Sequence, residues 1–261
     1  MKNIALYTMG RTGSTWLADY ITVNFEQNNI PVNCVWEYWG EDRTYHDDNG
    51  YVEVGELHNW DWAIENIDQS TLFNSKRQLL EKHSNLVHTY RQTEHEGYSD
   101  VPFDYMITQP TQLVCMTRQD KFDQMLSTLI ARETGLWHAW SVDDVDVYRN
   151  SFKTGAVEID LRKVKTWCNV HLIFNQRRKR LLESGKLIGN ITYELLHSQA
   201  PTVVKHLLKD RGVDKPVVIP PSELTTSTKK LATPDFKKTM VKNYDQLHHW
   251  FHANNWHTTL K

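Results

Sequence analysis

The most restrictive feature of this 261-residue chain lies at its start. A short apolar run, Asn3 to Thr8, leads through a glycine-bearing turn, Met9 to Ser14, into a helical pattern with Leu17, Tyr20, Ile21 and Phe25 on one face. An apolar run of that length suits a strand buried on both sides of a parallel sheet, and such strands are joined through crossover helices. The alternation recurs. Pro31 to Trp36 reads as a strand, Leu72 to Lys82 as a helix and Asn85 to Tyr90 as a strand. Gln112 to Thr117 is the next strand, and its helix carries Phe122, Leu126, Leu129 and Ile130. A long helix is expected from Ala156 to Glu183, with Val157, Leu161, Val164, Cys168 and Leu172 on its stripe and Gly185 ending it. Lys186 to Thr192 follows as a strand, then a helix ending near Gly212 and an irregular stretch from Pro216 to Thr228. Thr233-Pro234 opens a last helical pattern through Phe236, Met240, Tyr244, Leu247 and Phe251. The fold class is α/β, with a central, mainly parallel sheet flanked by helices. No repeat or flexible linker divides the chain, so a single domain over 1–261 is expected.

Composition narrows the function classes. Lys and Arg total 30 against 32 for Asp and Glu, which speaks against a general nucleic-acid or membrane-surface binder. The three cysteines, Cys34, Cys115 and Cys168, share no metal-ligand spacing, and so sparse a set fits a reducing compartment. No apolar run reaches the length of a membrane span, and Lys2 leads into a strand rather than a signal-peptide pattern. The expectation is a soluble, cytoplasmic protein, with a homodimer left open. Between Gly40 and Asn66 the chain is polar, rich in Trp and without period, as in a long functional loop or lid.

Chemistry concentrates in two places. Gly10-Arg11-Thr12-Gly13-Ser14-Thr15-Trp16 sits between a strand and a helix. Free N–H groups of a first helical turn attract an anion, and the glycines let the backbone fold around it. Ser14 and Thr15 offer hydroxyls, and Arg11 a cationic fork. The segment lacks the spacing and the Gly-Lys-Ser/Thr ending of a nucleoside-triphosphatase loop, so no partner for magnesium is evident. An ordinary strand–turn–helix corner with an exposed Arg11 is the alternative. The second place is Thr117-Arg118-Gln119-Asp120-Lys121, with Ser127 in the following helix on the same face as Gln124 and Ala131. An Arg at the carboxyl end of a strand lies where open α/β sheets bind ligands. The alternative is a helix-start Asp120 with Arg118 in a surface pair.

With these motifs in this order, the chain resembles the sulfotransferases that use 3′-phosphoadenosine 5′-phosphosulfate (PAPS). It is most similar to the bacterial trehalose 2-sulfotransferase group and to the lipopolysaccharide and nodulation-factor sulfotransferases. Arg11 to Leu17 looks like their 5′-phosphosulfate loop and Arg118 to Ser127 like their 3′-phosphate motif. Arg118, Asp120, Gln124, Ser127, Thr134 and Trp137 match that group in order and spacing. The resemblance implies a three-layer P-loop-like fold and PAPS as sulfuryl donor, with 3′-phosphoadenosine 5′-phosphate (PAP) as product and no metal. Arg11, Thr12, Gly13, Ser14, Thr15 and Trp16 would hold the 5′ end, and Arg118 and Ser127 the 3′-phosphate. Lys229 and Lys230 would join them from the C-terminal basic loop and helix, 229–261. Glu37-Tyr38-Trp39 matches the family's catalytic carboxylate segment, which makes Glu37 the base and puts all three at the acceptor. The region 40–104 would supply acceptor-side loops and a lid, but has no matching counterpart. Gln119 and Phe122 depart from the motif.

Rival bases are His58, His88 and His138, with His88 the strongest because it lies on a strand; His58 and Trp137 are further acceptor-side candidates. Trp60, Trp62 and Trp140 could stack on a sugar as readily as pack in a core. Arg177-Arg178-Lys179-Arg180 reads as a solvated helix face. The implied partner is a small-molecule or glycan hydroxyl acceptor. The competing readings are a nucleotide-dependent phosphotransferase and an anion- or carbohydrate-binding module without catalysis.

Overall fold

The computed structural model describes residues 3–35, 45–47, 50–52, 86–91, 101–108, 111–135, 156–213 and 234–260. Ile4–Thr8 forms strand β1, and Ser14–Gln27 forms helix α1. Asn33–Val35 is β2, and Tyr45–Asp47 and Gly50–Val52 are β3 and β4. Leu86–Arg91 is β5, Val101–Thr108 is α2, Gln112–Thr117 is β6 and Lys121–Thr134 is α3. Leu161–Glu183 is α4, Leu187–Thr192 is β7 and Tyr193–Leu208 is α5. Pro234–Met240, Tyr244–Ala253 and Trp256–Thr259 are α6, α7 and α8.

The main sheet has five strands in the order β2-β5-β1-β6-β7, and every pairing in it is parallel. β1 is therefore central, and all its residues are buried. Period-2 alternation divides the core between the two faces. Ala5 and Tyr7 of β1, with Leu113 and Cys115 of β6, pack against α2, α3, α4 and the C-terminal helices. Ile4 and Leu6, with Val114 and Met116, pack against α1 and α5. Two helical layers thus enclose the sheet. From β1 the chain runs towards β2 on one side, and from β6 it runs towards β7 on the other. The connections diverge between β1 and β6, which is where open parallel sheets form a crevice at their carboxyl ends.

Local chemistry accounts for the helix starts. Asp120 caps α3 by accepting from the Asp123 amide at 2.8 Å, and Thr192 caps α5 by accepting from Leu195 at 3.1 Å. Asp160 caps α4, so this helix begins at Leu161 rather than at the expected Ala156. Val157 leaves the expected stripe and instead makes a parallel bridge with Val241. Beside it, Asn243 bonds both the amide and the carbonyl of Ile159, at 3.1 and 2.9 Å. The same pairing interrupts the C-terminal helical pattern, which divides into α6 and α7 at 241–243 while Met240, Leu247 and Phe251 stay buried. The stretch from Gly40 to Asn66, expected to be a long functional loop or lid, holds the antiparallel pair β3–β4. The Arg177–Arg180 run is not wholly a solvated face: Arg177 is buried with its guanidinium over Phe103, and Arg180 pairs with Asp104 at 2.5 Å.

His171 is buried on α4 between Trp167 and Phe174, with no hydrogen-bond partner for either ring nitrogen among the described residues. Burial, aided by the nearby charges of Lys121 and Arg178, pushes its pKa down to about 3. As pH falls below the ordinary histidine value of about 6.5, the unfolded chain takes up a proton that the folded chain refuses. Stability should therefore fall on acidification from about 6.5 towards 3, by at most about 1.4 kcal/mol per pH unit for this one proton. His171→Leu should flatten that part of the profile, as read from urea midpoints between neutral and acid pH. An unaltered slope would show that another group carries the acid sensitivity.

Candidate functional site

Parallel register aligns the loops that matter. Thr8 pairs with Met116, Met116 with Ile191, and Thr117 with Thr192, so β1, β6 and β7 end level with one another. The turn after β1, the turn after β6 and the first turn of α5 therefore meet at one edge of the sheet.

The first turn is tightly shaped. Arg11 has φ 66° and Gly13 φ 78°, both in the left-handed region. Glycine adopts that geometry without a steric penalty, whereas Arg11 does so at a cost of about 1–2 kcal/mol. A buried hydroxyl pair keeps the loop closed: of Thr8 and Thr12, one hydroxyl donates to the other, which in turn donates to the Met9 carbonyl, 2.6 Å from Thr8 Oγ1 and 3.2 Å from Thr12 Oγ1. The Thr12 side chain is thus committed inward, leaving its backbone as the part available to a ligand. Gly13 is the N-cap of α1 and brings no side chain to cap it. α3, α4 and α5 all receive carboxylate or hydroxyl caps, while α1 opens with its first N–H groups uncapped beside half-buried Ser14 and Thr15.

The second turn reaches across to the first. Arg118 Nη1 donates to the Arg11 carbonyl at 3.4 Å, Arg11 Nε to the Ser127 carbonyl at 3.5 Å, and Gln124 Nε2 to the Gly10 carbonyl at 2.8 Å. The two sequence constellations are therefore brought together, and Gln124 braces the loop from α3. Arg118 Nη2 pairs with Asp123, whose other oxygen accepts from Lys237 Nζ at 2.6 Å. Lys237 also donates to Ser127 Oγ at 2.5 Å, and that hydroxyl donates to the Asp123 carbonyl at 2.8 Å. The side chains of Arg118, Asp123 and Lys237 are only 13%, 9% and 5% exposed, so this is a buried ion cluster rather than a surface pair. Removing one member of such a cluster typically costs about 3–5 kcal/mol, because the others keep an uncompensated charge.

The first turn of α5 contributes the third side. The Tyr193 ring lies 4.9 Å from the Arg118 guanidinium carbon, and a methyl group placed on Gly13 would come within 3.0 Å of that ring. Tyr193 thus fills the space between the two turns, and burial raises its pKa. Glu194 accepts the Gln119 amide at 3.1 Å, tying the start of α5 to the turn after β6. Beneath them Lys121 is buried. Desolvation, reinforced by Arg178, lowers its pKa to about 8, while Glu194 and Cys115 partly hold it up. Burial pushes the Cys115 thiol up to about 12, so it stays protonated and is a poor nucleophile.

Arg11, Thr12, Gly13, Ser14, Thr15, Arg118 and Ser127 therefore line one edge. Trp16 faces Tyr20 and His197, at centroid distances of 5.4 and 6.0 Å. Glu37, Tyr38, Trp39, His58, Trp137, Lys229 and Lys230 lie outside the described residues. His88 pairs with Ala5 and Val35, three residues short of the end of β1, which is about 10 Å back from the loop at the strand rise. Lys237 and Asp123 were not singled out from the sequence. A signal existed for Lys237: it stands on the same helical face as the apolar Met240 and Val241, a place where a lysine needs a buried partner. Among the described residues, no three His, Cys, Asp or Glu side chains are grouped to hold a metal ion, and no helix is long and apolar enough to cross a membrane.

Searches for similarity find no matching protein-family model and no significant match among curated proteins.

The Gly13 geometry can be tested directly. Gly13→Ala meets both a positive φ and the Tyr193 ring, and should lower unfolding stability by about 1–2 kcal/mol. A denaturation midpoint equal to that of the parent protein would contradict this account of the turn.

Proposed function

We propose that the chain is a PAPS-dependent sulfotransferase that moves a sulfuryl group to a hydroxyl acceptor, a carbohydrate or other small molecule. The supporting observation is the convergence of two anion-seeking turns, the uncapped start of α1 and the Arg118–Lys237 pair, bridged by the Arg118–Arg11 contact of 3.4 Å. A nucleotide phosphorylated at two separated positions suits such a pair of turns better than one with a single phosphate chain. Buried Arg118 Nε has no hydrogen-bond partner among the described residues, so the pocket retains a donor for an added anion. The strand order β2-β5-β1-β6-β7, with the loop of the central strand at the diverging connections, supports the P-loop-like reading of the fold.

In this reading the α1 amides, Ser14, Thr15 and Arg11 hold the 5′-phosphosulfate. Arg118, Lys237 and Ser127 hold the 3′-phosphate. Sulfuryl transfer breaks the bond between sulfur and the 5′-phosphate oxygen and forms one between sulfur and the acceptor oxygen. Positive charge at the α1 turn stabilises the leaving phosphate, and the acceptor's proton passes to a base. Glu37, two residues beyond β2, is that base. The His88 position, well back from the loop, makes it the weaker candidate.

Thermal shift separates the readings. PAP should raise the melting temperature more than 5′-AMP does, and ATP with magnesium should add little. Arg118→Ala should abolish the preference for PAP. Stabilisation by ATP with magnesium alone would favour a phosphotransferase. With PAPS and a panel of hydroxyl compounds, mass spectrometry should detect a gain of one sulfate. Glu37→Ala should remove that turnover while PAP binding persists, and retained turnover would move the base to His88.

A further inference from the structure

Asp123 belongs to the buried cluster yet is not needed to begin its helix, because Asp120 already caps α3 by accepting the Asp123 amide at 2.8 Å. Both carboxylate oxygens of Asp123 are directed to cations instead: Oδ2 to Arg118 Nη2, and Oδ1 to Lys237 Nζ at 2.6 Å. These cations come from distant parts of the chain, the turn after β6 and helix α6. An anion between them offsets their mutual repulsion.

The way Asp123 engages Arg118 also matters. A carboxylate standing in for a ligand phosphate would be expected to take a two-nitrogen edge of the guanidinium. Asp123 takes Nη2 alone, leaving Nη1 in a long 3.4 Å contact with the Arg11 carbonyl and buried Nε without a partner among the described residues. The Tyr193 ring, 4.9 Å from the guanidinium carbon, limits the plane the guanidinium can adopt. Asp123 therefore holds the guanidinium by one corner, and Nε is left for something else.

We propose that Asp123 is the positioning residue of this pocket. It is a built-in counter-ion that holds Arg118 and Lys237 at the spacing needed to grip a phosphate, and it thereby makes the site select nucleotides phosphorylated at the 3′ position. It touches neither donor nor acceptor. The assignment rests on the reading of the pocket as a 3′-phosphate site.

Titration calorimetry with PAP and with 5′-AMP tests it. In the parent protein PAP should bind more tightly; equal affinities would overturn the sulfotransferase reading itself, and this assignment with it. In Asp123→Asn, which keeps the shape and loses the charge, PAP affinity should fall about tenfold or more, the worth of a charge-assisted contact. Affinity for 5′-AMP should stay within about threefold, less than the loss of one such contact. A parallel loss for both nucleotides would mark a merely structural residue, and tighter PAP binding would mark a carboxylate that competes with the ligand; either overturns the assignment. Asp123→Glu covers the case in which the Asn variant does not fold, since it keeps the charge and shifts it by one methylene. It should also lose its preference for PAP, and an undiminished preference would overturn the assignment.

Discussion

Level pairing of β1 with β6 is the constraint on which the site depends. Because Thr8 stands opposite Met116, the turns that follow are neighbours, and Gln124, Arg118 and Arg11 can each reach a backbone carbonyl of the opposing segment. A shift of one residue would turn every side chain of β6 to the other face of the sheet, taking Cys115 away from Tyr7 and Met116 away from Leu6. The apolar cores on both faces thus hold the register, and the register brings the cationic turns together.

Positive charge gathered there has to be balanced within a water-poor setting. Asp123 balances part of it, Glu194 lies close to Lys121 and Gln119, and Lys121 gives up some affinity for its proton. Burial raises the value of each contact and the cost of losing one, since an unmatched charge in low dielectric is far more expensive than one in water. The strained Arg11 backbone and the packing of Tyr193 against Gly13 belong to the same arrangement: both narrow the shapes the turn can take before any ligand arrives.

Much of this was visible in the residues. The strand–glycine turn–helix unit, the apolar strand ending in Thr117-Arg118 and the helical faces of α1 and α3 follow from periodicity and turn chemistry. Those signals are local, so a single chain carries them. The beginning of α4 is not legible locally, because Val157 fits a helical stripe as well as it fits a bridge, and only its partner Val241 decides between them. The break between α6 and α7 has the same origin, with Asn243 giving its amide to Ile159 on another segment.

Sequence alone determined that the chain alternates strands and helices, that a glycine turn leads into α1, and that an arginine stands at the end of a neighbouring strand. Each depends on residues within a few positions of one another. Tertiary structure alone decided that Arg118 turns towards the Arg11 carbonyl, that Asp123 rather than Asp120 is its partner, and that Lys237 completes the cluster from 114 residues further along the chain. The physical reason is that a buried charge takes its partner from whatever segment the packed cores bring within reach, and separation along the chain places no limit on that choice.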